Sequence, residues 1–153
     1  MSDVKLMLGD CLEIMPTLPD ASFDAIIADI PYGISQKSNG LKGKELDFGK
    51  WDRLSQIELT RYLSNAESIA RHSVTTFCSA EQMSGIISYF KSRDWLVRQL
   101  IWLKPNGYSM NGDVMYLWST ENAVFAKRRR AKFNGKSKRN WFTYPTVNGK
   151  VHP

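Results

Sequence analysis

The stretch Phe23-Asp24-Ala25-Ile26-Ile27-Ala28-Asp29-Ile30-Pro31-Tyr32-Gly33 decides the fold class. Apart from Asp24, residues 23–28 are continuously apolar, as in a strand buried on both faces, and such strands belong to sheets covered by helices. Outward from it the elements alternate. Val4–Leu8 reads as a short strand ending in Gly9-Asp10, and Cys11–Leu18 as a helix with Leu12, Met15 and Leu18 on one face. Gly33–Trp51 is rich in Gly, Ser, Asn and Lys and reads as a long loop, a length that points to function or disorder. Ser55–Arg71 has a helical pattern with Ser55 and Glu58 as a capping box. Ser73–Cys78, Leu96–Leu103 and Asn122–Ala126 read as strands, and Ser79 is placed to cap a helix over Ala80–Lys91. This alternation predicts an α/β domain with a mainly parallel sheet.

A length of 153 residues fits one domain or part of a larger one, and 42% hydrophobic with 24% charged residues is a globular composition. No apolar run approaches the roughly 20 residues of a membrane helix, and no basic-then-apolar leader opens the chain. Two cysteines and two histidines make neither a disulfide scaffold nor a metal site. The expected setting is a reducing cytoplasm, without membrane or metal. The net charge of +6 is uneven: after Glu121 there are nine of the 21 Lys and Arg and none of the 15 Asp and Glu. A basic C-terminal end on a near-neutral body suggests a polyanion partner, most simply nucleic acid; a solvated basic tail is the other reading.

In open α/β sheets ligands bind beyond the carboxyl ends of the strands, which is where Asp29-Ile30-Pro31-Tyr32 falls. The tetrapeptide joins an acceptor-only carboxylate, a stiff turn and an aromatic ring. These parts suit a flat, amine-bearing substrate: the Asp29 carboxylate and a backbone carbonyl accept from an NH2 group while the ring stacks. A nucleic-acid base presented this way has first to leave the duplex. Read as four letters alone, the tetrapeptide is more readily an Asp-Pro turn after a strand, with a packing tyrosine.

Further segments occur in a fixed order around it: Gly9-Asp10-Cys11-Leu12-Glu13, Leu18-Pro19-Asp20-Ala21-Ser22-Phe23-Asp24, Phe48-Gly49-Lys50-Trp51-Asp52, Ile101-Trp102-Leu103-Lys104-Pro105-Asn106, Tyr144-Pro145 and His152-Pro153. Together they resemble the beta group of amino-methylating DNA methyltransferases, in which the catalytic motif precedes the cofactor motif. The resemblance implies a Rossmann-like S-adenosylmethionine-dependent methyltransferase sheet. It also implies a catalytic motif at Asp29, Ile30, Pro31 and Tyr32, with Ile30 where the family more often has a first proline. An acid at position 29 implies adenine as the target rather than the cytosine amine. By the same resemblance Asp10 and Cys11, with Asp29, belong to the cofactor site. The family occurs in restriction-modification systems and in phage.

Lys127-Arg128-Arg129-Arg130 with Lys132, Lys136, Lys138 and Arg139, followed by Trp141, Phe142 and Tyr144, makes 127–144 a candidate DNA-contacting segment. A solvated loop beside core aromatics is the alternative. Lys37, Lys42, Lys44 and Trp51-Asp52, in the loop after the motif, read as a lid or as plain disorder. The family's Gly-rich cofactor turn is absent, since no Gly-x-Gly occurs in the 153 residues. A methyltransferase sheet lacking the cofactor-side strands is therefore expected, with an open edge on the catalytic strand. Such a chain is inactive until a C-terminal half is supplied, or self-associates, or is a catalytically dead DNA-binding fragment such as a prophage remnant.

Overall fold

The computed structural model describes residues 4–33, 54–106, 116, 119–135 and 138–146, and the backbone of 38–39 and 45–46. Lys37, Lys42, Lys44, Trp51-Asp52, Lys136 and the His152-Pro153 end lie outside the described residues. A five-stranded sheet forms the frame. Its strands are β1 (Phe23–Asp29), β4 (Ala70–Cys78), β5 (Trp95–Leu103), β6 (Thr120–Arg128) and β7 (Trp141–Thr143), in the order β1-β4-β6-β5-β7. Within 33–51, β2 (Ser38–Asn39) and β3 (Glu45–Leu46) pair as a short antiparallel ribbon where a structureless loop is expected from composition.

The sheet is mixed rather than mainly parallel. β1 with β4 and β5 with β7 are parallel, but β6 runs antiparallel to both neighbours, β4 and β5. The reason lies in the connection: no helix intervenes among the described residues between β5 and β6, and a parallel return needs a crossover, usually helical. The segment Val4–Leu8 is not a strand, and Val4, Leu6 and Leu8 are 85%, 91% and 104% exposed. An extended segment holds as a strand only when its backbone groups have ladder partners, and no described strand pairs with it. The helix expected over Cys11–Leu18 is shorter: α1 (Cys11–Ile14) tightens into a 3-10 turn at Met15–Thr17, where Pro16 supplies no N–H.

α2 (Gln56–Ile69) starts as its sequence predicts, with the Ser55 N–H donating to Glu58 Oε2 at 2.8 Å and the Glu58 N–H donating to Ser55 Oγ at 3.2 Å. It runs straight into β4 at Ala70. α3 (Ala80–Lys91) follows β4 directly after Ser79. Ala70, Val74, Thr76 and Cys78 of β4, Val124 and Ala126 of β6, and Trp95 and Val97 of β5 are buried. They form one core with Leu59, Tyr62, Leu63 and Ala66 of α2 and Ile86 and Phe90 of α3, apart from Thr76, which is polar. Thr76 is satisfied there by the Tyr62 hydroxyl at 2.9 Å. The two helices are also clamped together. Arg93 just beyond α3 reaches Glu67 of α2 at 2.9 Å and covers the Tyr89 ring, whose hydroxyl donates to the same carboxylate.

β1 stands at the edge of the sheet and pairs only with β4 among the described strands. Ile27 is 76% exposed in it. The core therefore lies on the β4-β6-β5 side, and its anchor is Phe90, which is 1% exposed with its ring centroid 5.1 Å from that of Trp95. We expect Phe90→Ala to cost about 3–5 kcal/mol, read as a lowered urea midpoint at unchanged slope. A loss below about 1 kcal/mol, far under the cavity cost of a buried aromatic, would place the core elsewhere.

Candidate active site

The C-terminal ends of β1, β4, β5 and β7 meet the N-terminal end of β6 at one end of the sheet. There the register aligns Asp29 with Phe77, Cys78 with Asn122, and Trp102 with Glu121. The motif leaves β1 at this end. Its turn is held from three sides. The Ile30 N–H donates to the Phe77 carbonyl at 3.4 Å, and the Ile30 side chain is buried in the core. The Pro31 carbonyl accepts from Gln82 Nε2 at 2.8 Å, while Gln82 Oε1 accepts from the Ser79 N–H at 3.0 Å. Gly33 closes the turn at φ +69°, with open space around its α-carbon, so the demand for glycine there is conformational.

Tyr32 reaches across the end of β4. It lies within electrostatic reach of both the Asp29 and the Glu121 carboxylates. Partial burial, then the Glu121 charge, then the Asp29 contact push its phenol far above the ordinary tyrosine range, so it stays protonated. Glu121 in turn accepts from Lys104 Nζ, and that ammonium lies 5.0 Å from the centre of the Trp102 ring. The Lys104 N–H donates to the Ser119 carbonyl at 2.7 Å, tying the end of β5 to the start of β6. Trp102 Nε1 donates to the Tyr144 carbonyl at 2.8 Å, and Asn106 exchanges two hydrogen bonds with the backbone of Thr146. The segment Ile101–Asn106 thus lines the same end as the motif.

Asp29, Ile30, Pro31 and Tyr32 stand together at this end of the sheet, with Tyr32 near the Glu121 carboxylate. Glu121, Lys104 and Gln82 are the residues that reading the sequence missed as site residues. Lys104 belongs to a segment that carries the family resemblance, whereas Glu121 has no signal beyond being the last acid of the chain. Asp10 caps α1, with Oδ1 accepting from the Leu12 N–H at 2.8 Å. The preceding Gly9 has φ +149°, and a Cβ there would lie 3.1 Å from Ile14 Cδ1. Cys11 lies within electrostatic reach of Tyr62, and its thiol is raised by partial burial and by Asp10.

The basic segment divides. Lys127 pairs in register with Ser73, so Lys127–Arg130 lie at the end of the sheet opposite Asp29. From Asn122 to Arg128 is about 20 Å along the strand. Arg128 stacks on Trp95 with its guanidinium 4.6 Å from the ring centre and donates to the Glu67 and Ala70 carbonyls, closing the C-terminus of α2. Arg129 forks onto Asp94, and Lys127 Nζ donates to the Arg128 and Ala131 carbonyls. Arg130, Lys132, Lys138 and Arg139 are exposed. Arg139 lies 5.1 Å over the Trp141 ring, at the start of β7. Among the described residues no helix is long and apolar enough to cross a membrane, and no three His, Cys, Asp or Glu side chains are grouped to hold a metal.

By sequence no family model and no curated relative matches the chain. By structure it resembles M1.HpyAVI in its complex with SAM, with a TM-score of 0.60 at 20% identity, covering 94% of this chain and 63% of that one. It also resembles the PvuII DNA methyltransferase, described as cytosine-N4-specific, with a TM-score of 0.65 at 11% identity over 94% of this chain and 58% of that one. These likenesses show the fold alone: a Rossmann-like sheet, present in part. The chain spans roughly three-fifths of the length of the structures it matches.

Proposed function

We propose that this chain is the catalytic-side portion of a DNA methyltransferase, which moves a methyl group from S-adenosylmethionine to the exocyclic amine of a DNA base, adenine by preference. The observation that carries the reading is Asp29, held at the carboxyl end of the sheet by a turn anchored through Ile30 and Pro31. An amine's lone pair is delocalised into the base, so the site has to localise it. Hydrogen bonds from the amine to the Asp29 carboxylate and the Ile30 carbonyl favour a more tetrahedral nitrogen, and positioning supplies most of the rate. The acid at position 29 favours adenine in this reading; the cytosine amine is the runner-up, and the PvuII likeness keeps it in the comparison.

S-adenosylmethionine supplies an electrophilic methyl group when bound. Of the residues that would hold it, this chain offers Asp10 and Cys11 at the tight Gly9 turn, together with Asp29. No Gly-x-Gly turn is among its residues, and β1 has no outer neighbour among the described strands, so the fit is partial. In this reading a polypeptide carrying strands that pair with β1 and a Gly-rich turn completes the site. Within 127–144, Lys138 and Arg139 beside the exposed Trp141 suit phosphate contact in this reading, whereas Arg128 and Arg129 already serve the fold.

Three outcomes are expected. The 153-residue chain alone transfers no tritiated methyl to duplex DNA, and adding the complementing polypeptide gives transfer; single-chain transfer that Asp29→Ala abolishes would overturn the need for a complement. In the active assembly Asp29→Ala removes turnover while DNA binding persists, and digestion of the product yields N6-methyladenine. N4-methylcytosine would move the target to cytosine, and turnover within tenfold of the parent would remove Asp29 from the chemistry. Finally, replacing Lys138 and Arg139 with alanine flattens the plot of log affinity against log salt by roughly 0.9 for each phosphate the protein no longer neutralises. Arg129→Ala leaves that slope unchanged, and the reverse pattern would put DNA at the other end of the sheet.

A further inference from the structure

α2 and α3 open on the same pattern but differ in a single group. At the start of α2 the Glu58 carboxylate accepts from the Ser55 N–H at 2.8 Å and from the Ser55 hydroxyl. At the start of α3 the corresponding residue is Gln82, whose Oε1 accepts from the Ser79 N–H at 3.0 Å. The other half of that amide donates through Nε2 to the Pro31 carbonyl at 2.8 Å, 51 residues back in the chain. An ionised glutamate accepts only, so here it would serve the helix but set an acceptor against the carbonyl. The turn needs a donor at this point. Asp29 is held by its pairing with Phe77 of β4. Beyond it the ladder weakens: the Ile30 N–H lies 3.4 Å from the Phe77 carbonyl, outside the usual range of about 2.7–3.2 Å. The Gln82 bond is the shorter tether, and it grips a residue whose φ the proline ring already fixes.

We propose that Gln82 is the positioning residue of the turn that receives the base; this rests on the methyltransferase reading above. With its oxygen held by the Ser79 N–H, its nitrogen fixes the Pro31 carbonyl against the start of α3. The turn is then clamped on both sides of Ile30, by β4 at Asp29 and by Gln82 at Pro31. A base amine needs the Asp29 carboxylate and the Ile30 carbonyl at once, and the two clamps hold these acceptors at one spacing. α3 is itself seated in the core through Ile86 and Phe90, so the clamp stands on a rigid element. Gln82 acts through the turn and not on the base. A displacement of about 1 Å at such a position is enough to cost about a hundredfold in rate.

The test uses Gln82→Glu, which keeps the acceptor for the Ser79 N–H, and with it the helix start, but removes the donor. In the full chain without DNA or methyl donor, the 13C-labelled carbonyl carbon of Pro31 reads the bond. Its signal is expected to lie upfield of the parent's near about pH 8 and to return toward it on acidification, as the new carboxyl takes up a proton it can donate. Facing a carbonyl oxygen raises that carboxyl above the ordinary glutamate value of about 4.3, so the return begins above that pH. In Gln82→Ala, which has neither group, the signal is expected to stay upfield at every pH, and this variant reads the clamp if the acidic one does not fold. A signal that matches the parent's near pH 8 in either variant overturns the clamp. In an assembly that methylates DNA, Gln82→Glu is expected to lower kcat by about tenfold to a hundredfold near pH 8 at unchanged KM for DNA. The ratio of variant to parent rate then rises as pH falls. A variant as fast as the parent, or slowed equally at every pH, overturns the positioning role even if the clamp is present. Absence of transfer by the parent in every assembly refutes the methyltransferase reading and the role with it, while the Pro31 signal still reads the clamp separately.

Discussion

The antiparallel insertion of β6 between β4 and β5 is the constraint on which the rest of the structure depends. It satisfies the inner backbone edges of both strands and sets Val124 and Ala126 between Val74, Thr76 and Val97, where the helices cover them. It also reverses one strand relative to its neighbours. The start of β6, not its end, then joins the carboxyl ends of β1, β4 and β5. Glu121 arrives at the motif for this reason, and Lys104 meets it because the end of β5 and the start of β6 are tied through Ser119. The same reversal sends Arg128 to the far end, where it closes α2 against Trp95.

What could be read from the sequence follows from this. Strands, helices and the α2 cap carry local signatures: apolar runs, a 3.6-residue repeat, a serine three residues before a glutamate. They fall in the structure within a few residues of where periodicity puts them, and Asp29 falls at a strand's carboxyl end because the apolar run stops there. Strand direction has no such local mark. Taken as parallel, β6 would carry its first residues to the end away from Asp29, which hides Glu121 as a partner of the motif. Val4–Leu8 fails for a different reason. Its apolar run is a sound strand pattern, but a strand is a pairing, and pairing depends on what lies alongside.

The charges show the same division between local and global information. A run of Lys and Arg reads as a polyanion site when only its composition is known. Three of its members spend their donors on carbonyls and a carboxylate within the fold, Arg129 on an aspartate held at φ +60° just before β5. Their positive charge offsets helix-end carbonyls and an acid rather than standing free, so the net charge of +6 overstates what is available to a partner.

The site is built unevenly, and the unevenness has a structural source. Asp29, Tyr32, Glu121, Lys104 and Gln82 are contributed by β1, β6, the end of β5 and α3, all of which rest directly or through β4 on the buried core. The Gln82 bond to the Pro31 carbonyl and the Lys104–Glu121 pair need nothing beyond the outer edge of β1. On that outer edge lie an exposed Ile27 and backbone groups with no described partner, and beyond the Gly9 turn lies an exposed apolar segment. Acidic residues stand at Asp24 and Asp29, but Ala25–Ala28 between them carries none of the charges or prolines that usually blunt an edge. The motif end of the sheet is thus organised by the fold itself, while the outer edge of β1 has no described partner. The order at the motif end does not depend on a partner for that edge, because β1 is tied through β4 to the buried core.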